Sequence, residues 1–175
     1  MRGAGAPMEL CLKTPWNRHL RILSDGGKLL ASDFVAVSHP LRRSTDRLLS
    51  EAAAQIRAYL RGALRRFDLP LLFCGTPLQN DAWSRVADLE FGEFVSYADI
   101  ARAIARPAAH RGVAAAMSAT PFALFVPAHR VLGSDGRIRG AEPTSMRVTL
   151  FEFERATMAK RNEREPKGPI ALRRR

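Results

Sequence analysis

Cysteine is almost missing from this chain: its 175 residues include two, Cys11 and Cys74. Two isolated thiols build no disulfide framework, and without a CxxC pair they offer no zinc site of the usual spacing. No apolar run is long enough to span a bilayer and no signal peptide is evident. The cytoplasm is therefore the expected location, and no membrane partner is expected. Acidic residues are short as well. Against 28 Lys and Arg stand 17 Asp and Glu, a formal net charge of +11, which favours a polyanionic partner, most simply nucleic acid. A solvated basic surface, or a codon bias toward arginine, would give the same excess. No internal repeat is visible. With 46% hydrophobic and 26% charged residues, the chain can bury one good core, or one core plus a small appended domain.

Met1 to Met8 is rich in Gly, Ala and Pro and reads as frayed. Leu20 to Leu23 and Leu29 to Val37 are apolar runs around Asp25-Gly26-Gly27. The glycines supply the positive φ of a hairpin turn, so two antiparallel strands are predicted. From Ser44 the period changes: Leu48, Leu49, Ala52, Ala53, Ile56, Tyr59, Leu60, Ala63 and Leu64 recur at helical spacing, opposite a face carrying Arg47, Glu51, Arg57, Arg61 and Arg65. Phe67 to Phe73 reads as extended because Pro70 forbids a helix, and a domain boundary is placed near Gly75. Thr76-Pro77-Leu78-Gln79 is a capping box that opens a helix with Trp83, Val86 and Leu89 on its core face. Ser96-Tyr97-Ala98-Asp99 is a second, opening a helix to about Ala105. After an Arg106-Pro107 turn, an alanine-rich helix is predicted from about Ala108 to Ser118, so the pair has the outline of a helix-turn-helix. Phe122 to Val126 reads as a short buried strand stopped by Pro127. Ser134-Asp135-Gly136 is a tight turn, and Pro143-Thr144-Ser145 starts a last helix with Leu150, Phe151, Phe153 and Met158 facing inward. From Met146 onward nine Lys or Arg stand against four Glu, and Pro166, Gly168 and Pro169 deny the end regular structure.

Pro127-Ala128-His129-Arg130-Val131 follows the buried run at once, where the backbone leaves the core and a site residue would sit. The stretch resembles the Pro-Cys-His-Arg-Val signature of the O6-alkylguanine-DNA alkyltransferases, with Ala128 where that family has its reactive cysteine. Leu69-Pro70, Gly75 to Gln79 and Trp83 resemble the family's linker and first helix of the active domain. Gly92 to Tyr97 resembles its Gly-x-x-x-Ser-Tyr segment, and Arg111 to Met117 its recognition helix. The likeness runs over 20–156. It implies an α+β protein: a small sheet-plus-helix domain over 9–74, then a helical DNA-binding domain with a helix-turn-helix over 75–160. A basic tail follows over 161–175.

In that family the helix-turn-helix lies in the DNA minor groove and the target base is extruded. The resemblance places DNA contacts at Tyr97, Arg111, Gly112, Ala114, Ala115 and Arg130. Small residues let the helix backbone approach the sugar-phosphate, Arg111 fills the hole left by the base, and Tyr97 crowds the target phosphate. Thr120, Pro127, Val131 and Gly140 fall on the base pocket. His129 and Glu154 fall on the base and orienting acid that would activate a thiolate at 128. Alanine has no lone pair there, and Cys11 and Cys74 are read as small apolar residues. Thr120 replaces the usual asparagine before a proline, and Arg139 to Pro143 replaces an aromatic Tyr-x-Gly-Gly loop.

Three changes around one pocket suggest a different use of the site. Alkyltransferase-like proteins carry tryptophan or alanine instead of the cysteine, bind alkylated guanine and pass it to excision repair, and most lack an amino-terminal domain. The resemblance thus implies a monomer that binds O6-alkylguanine in duplex DNA without transfer, in concert with nucleotide-excision repair proteins. No cofactor or metal is expected: some relatives hold zinc in the amino-terminal domain with cysteines and histidines, and here Cys11, His19 and His39 stand without a CxxC pair. Two alternatives stay open: a methylated-DNA–protein-cysteine methyltransferase whose cysteine has been replaced by alanine, and a non-specific basic DNA-binding protein.

Overall fold

A computed structural model describes residues 6–139 and 141–164. Three strands rather than two build the amino-terminal sheet. They are β1 (Met8–Lys13), β2 (His19–Ser24) and β3 (Leu29–Val35), antiparallel in the order β1-β2-β3. β1 begins at the last residue of the stretch expected to fray, and 1–5 lie outside the described residues. The strand was hard to see because its six residues hold only two adjacent buried positions, Leu10 and Cys11. Between β2 and β3 the predicted turn forms: Gly26 takes φ +91°, and the Asp25 carboxylate accepts the N–H groups of Gly27 and Lys28 at 2.8 and 2.7 Å.

The helix α1 (Arg47–Leu60) lies on this sheet through Leu49, Ala52, Ile56 and Tyr59. Asp46 caps it, accepting the Leu49 N–H at 2.9 Å. It ends before Ala63 and Leu64 because Gly62 turns the chain at φ +69°. The outer edge of β3 is then covered twice by parallel bridges, Leu29 with Leu71 and Ser32 with Phe122. The extended reading of 67–73 is thereby explained: Leu72 N–H donates to the Leu29 carbonyl at 2.9 Å, and an otherwise open sheet edge is closed.

The run Phe122 to Val126 is buried except for half-buried Ala123, but it is not a strand. Ser32 N–H donates to the Pro121 carbonyl and Ala123 N–H to the Ser32 carbonyl, both at 2.9 Å, and there the pairing stops. Leu124 swings to φ +74° and Val126 N–H returns to the Phe122 carbonyl at 3.2 Å. A five-residue apolar run fits a buried turn as well as a strand, since periodicity cannot separate the two at that length.

The remaining helices are α2 (Pro77–Ala87), α3 (Tyr97–Ala103), α4 (His110–Ser118) and α5 (Met146–Arg164). Both capping boxes are present, Thr76 with Gln79 and Ser96 with Asp99. From α3 the chain turns at Ala105, φ 57°, and a one-turn 3-10 helix over Pro107–Ala109 leads into α4. A two-residue parallel pair, β4 (Val95–Ser96) with β5 (Val131–Leu132), sets the start of α3 beside the end of the 127–131 motif. α5 runs to Arg164, so the first residues assigned to the basic tail are helical, and 165–175 lie outside the described residues. One apolar cluster joins Ile22 and Leu49 to Trp83, Ile100, Val113, Phe125 and Leu150. No helix among the described residues is long and apolar enough to cross a membrane.

Candidate functional site

The motif after the buried turn forms a single 3-10 turn, Ala128–Arg130, packed on α5. Glu154 of α5 is its centre. The carboxylate is fully buried and accepts from four residues: His129 Nε2 at 2.8 Å, Arg130 Nη2 at 2.8 Å, the Tyr59 hydroxyl at 2.9 Å and the Gly92 N–H at 2.9 Å. Arg130 Nε adds bonds of 3.1 and 3.0 Å to its two oxygens. Burial pushes the Glu154 carboxyl up, but the donors of His129 and Arg130 outweigh it and hold the group at about 2. Burial lowers the His129 pKa, only partly offset by the Glu154 carboxylate, so the ring is neutral near pH 7. With Glu154 ionised, the Nε2 hydrogen must lie between the two, which leaves Nδ1 unprotonated.

Arg130 therefore does not stand where DNA could meet it. It is 1% exposed, spent on Glu154 and on the Leu89 carbonyl. The resemblance put it among the DNA contacts, but its fork is the geometric complement of the buried carboxylate.

Ala128, 5% exposed, lies on a cavity of about 560 Å³ between the end of α4, the buried turn, β3 and the start of α5. Thr120 and His129 line it, with Met117, Leu124 and Leu150 among the apolar walls. Pro127 and Val131 do not line it. Both are buried, and Val131 is paired with Val95 in the small sheet. Gly140 lies outside the described residues. Sequence reasoning missed Arg147, which lines this cavity and donates from Nη2 to the Tyr97 hydroxyl and to the Ala128 carbonyl, both at 3.4 Å. The signal was available: Arg147, Leu150 and Glu154 recur at i, i+3 and i+7 along one stripe of α5.

On α4 the exposed face carries Arg111, Ala115 and Ser118, with Ala114 half-buried beside them. Val113, Ala116 and Met117 are buried on the other face. Gly112 belongs with the packed side, for a Cβ there would come within 2.6 Å of Leu78 Cδ2 on α2. Its small size is thus accounted for by the α2–α4 contact. Tyr97, Arg111 and Ala114 together line a groove of about 420 Å³ with His110, Ser134 and Arg139. Tyr97 is 7% exposed. No cluster of His, Cys, Asp or Glu suited to a metal occurs among the described residues.

A family model described as 6-O-methylguanine DNA methyltransferase, DNA binding domain, matches residues 77–156. The chain is 40% identical over 105 residues to the methylated-DNA–protein-cysteine methyltransferase of Methanosarcina barkeri, a match covering 59% of this chain and 66% of that protein, just under two thirds of its length. To the protein of the same name from Methanosarcina acetivorans it is 37% identical over 105 residues, covering 59% of this chain and 67% of the relative. The crystal structure of Mycobacterium tuberculosis OGT in complex with DNA superposes with a TM-score of 0.72 at 29% identity, covering 85% of this chain and 92% of that one. The chain belongs to the O6-methylguanine-DNA methyltransferase family, to which these methylated-DNA–protein-cysteine methyltransferases also belong.

Proposed function

We propose that this chain recognises O6-alkylguanine in duplex DNA and holds it without accepting the alkyl group. The observation that carries the reading is Ala128 itself. It sits on a cavity beside a neutral His129 and an ionised Glu154, where its methyl group can neither give up a proton nor attack carbon. In this reading Arg111, Ala114 and Ala115 face the minor groove, Arg111 occupies the space of the extruded base, and Tyr97 presses on the neighbouring phosphate. The base enters the cavity at Ala128. The held lesion is then a signal for excision-repair proteins.

The retained His129–Glu154 pair would also suit a methyltransferase whose cysteine was replaced. Its retention has a second account, because Glu154 also ties Tyr59, Gly92 and Arg130 together and its loss would disturb the fold. The test is competition between matched duplexes with and without one O6-methylguanine. The reading expects the modified duplex to win by tenfold or more at moderate salt, on the order of one specific contact. Equal affinities would leave only non-specific basic binding.

A further inference from the structure

Among the described residues Arg147 is the only cation on the cavity that holds Ala128, and it is poorly satisfied there. A guanidinium has five N–H donors in a fixed plane. The two contacts of Arg147 Nη2 are both 3.4 Å long and go to neutral oxygens, on Tyr97 and Ala128. Its Nε is buried without a partner, alone in that respect among the side-chain nitrogens and oxygens of the described residues. No carboxylate pairs with it among those residues. Glu154 is ringed by donors, and Asp33, which also lines the cavity, is held by Arg21 through two bonds of 3.0 Å. Glu142 lies exposed at the rim.

A half-buried cation with spare donors and no paired carboxylate among the described residues favours an anionic ligand that reaches it. We infer that Arg147 is a specificity-determining residue for O6 substituents bearing a carboxylate, so the cavity favours carboxyalkylated over neutral alkylated guanine. The inference rests on the proposed entry of the base into this cavity. Alanine at 128 leaves the floor open next to the carbonyl that Arg147 touches, so a group extending beyond O6 would meet the guanidinium. A carboxylate can exchange the long contacts to neutral oxygens for short charge-assisted ones, two at once on the planar fork.

The test uses the full chain and three otherwise identical duplexes, carrying O6-carboxymethylguanine, its neutral isostere O6-carbamoylmethylguanine, or guanine. The wild type should bind the carboxymethyl duplex about tenfold or more tightly than the carbamoylmethyl one, the scale of one charge-assisted contact. In Arg147→Met that ratio should fall to within about twofold, and Arg147→Lys should keep part of it. Taking the ratio within each variant cancels any general loss of affinity. A wild-type ratio near one overturns the inference without any variant, and so does a high ratio that survives in Arg147→Met. If the carbamoylmethyl duplex beats guanine while carboxymethyl adds nothing, only the role of Arg147 falls. If neither modified duplex beats guanine, the proposed base entry falls with it.

Discussion

Glu154→Gln changes one oxygen to an amide and should disrupt the whole centre of the protein. His129, Arg130, Tyr59 and Gly92 all aim N–H or O–H groups at the carboxylate. A glutamine offers one acceptor oxygen and turns a donor toward the rest, while Arg130, 1% exposed, keeps its charge with no counter-ion. Leaving a buried charge unpaired costs about 3–5 kcal/mol, a large share of the roughly 5–15 kcal/mol that holds a domain folded. The wild-type pH dependence should report the same interaction. The Glu154 carboxyl titrates at about 2 when folded, against an ordinary 4.5, a gap worth about 3 kcal/mol. Because the folded value is the lower one, that stability is present above about pH 5 and lost as the pH falls toward 2. The lowered pKa of His129 adds to the loss, since the unfolded chain takes up its imidazole proton first, beginning near pH 6.5. Urea unfolding at a series of pH values measures both effects. Glu154→Gln should be destabilised by several kcal/mol at pH 7 and show a flatter acid limb, and adding Arg130→Met should recover part of the loss. A cost below about 1 kcal/mol would refute the account of Glu154 as a hub.

Three further predictions follow from the same geometry. Gly92→Ala should destabilise by about 1–3 kcal/mol, because the residue sits at φ +77° and a Cβ would lie 2.6 Å from Met158 Cγ, and thermal melts would show it. Arg111→Ala should weaken binding to a lesion duplex by about 1–3 kcal/mol and to a plain duplex by less, read in a salt series with a fluorescent base beside the lesion. Ala128→Cys should give at most weak transfer of a labelled methyl group from DNA to protein, because Thr120 and the 139–143 loop also depart from the family's pattern; efficient repair would favour the replaced-cysteine reading.

The sequence was most legible where local chemistry acts alone. The Thr76 and Ser96 capping boxes and the Gly26 and Gly136 turns need only near neighbours, and all four appear in the structure. Long-range pairing was less legible. β1 has too few buried positions to announce itself, and Phe122 to Val126 looked like a strand because nothing in five apolar residues reveals that only the Ser32 slot of β3 is open to it. Within the site, the resemblance named His129 and Glu154, which the fold brings to 2.8 Å across 25 positions of chain. It misjudged Arg130, which is buried against Glu154 and the Leu89 carbonyl, and it did not reveal that half-buried Gly112 also packs on Leu78. Arg147 was overlooked because it is one of four arginines in α5; its place on the stripe of Leu150 and Glu154 marks it in the sequence, and its direction, toward Tyr97 and Ala128, sets it apart in the structure.

The central claim is recognition without transfer, and it is tested most directly by following the methyl group. A duplex carrying O6-methylguanine with a labelled methyl is bound by the full chain, the complex is isolated, and the label is traced after denaturation. The account predicts a lesion-selective complex in which all of the label stays on DNA. Label recovered on the protein, at Cys11, Cys74 or any other residue, would contradict it.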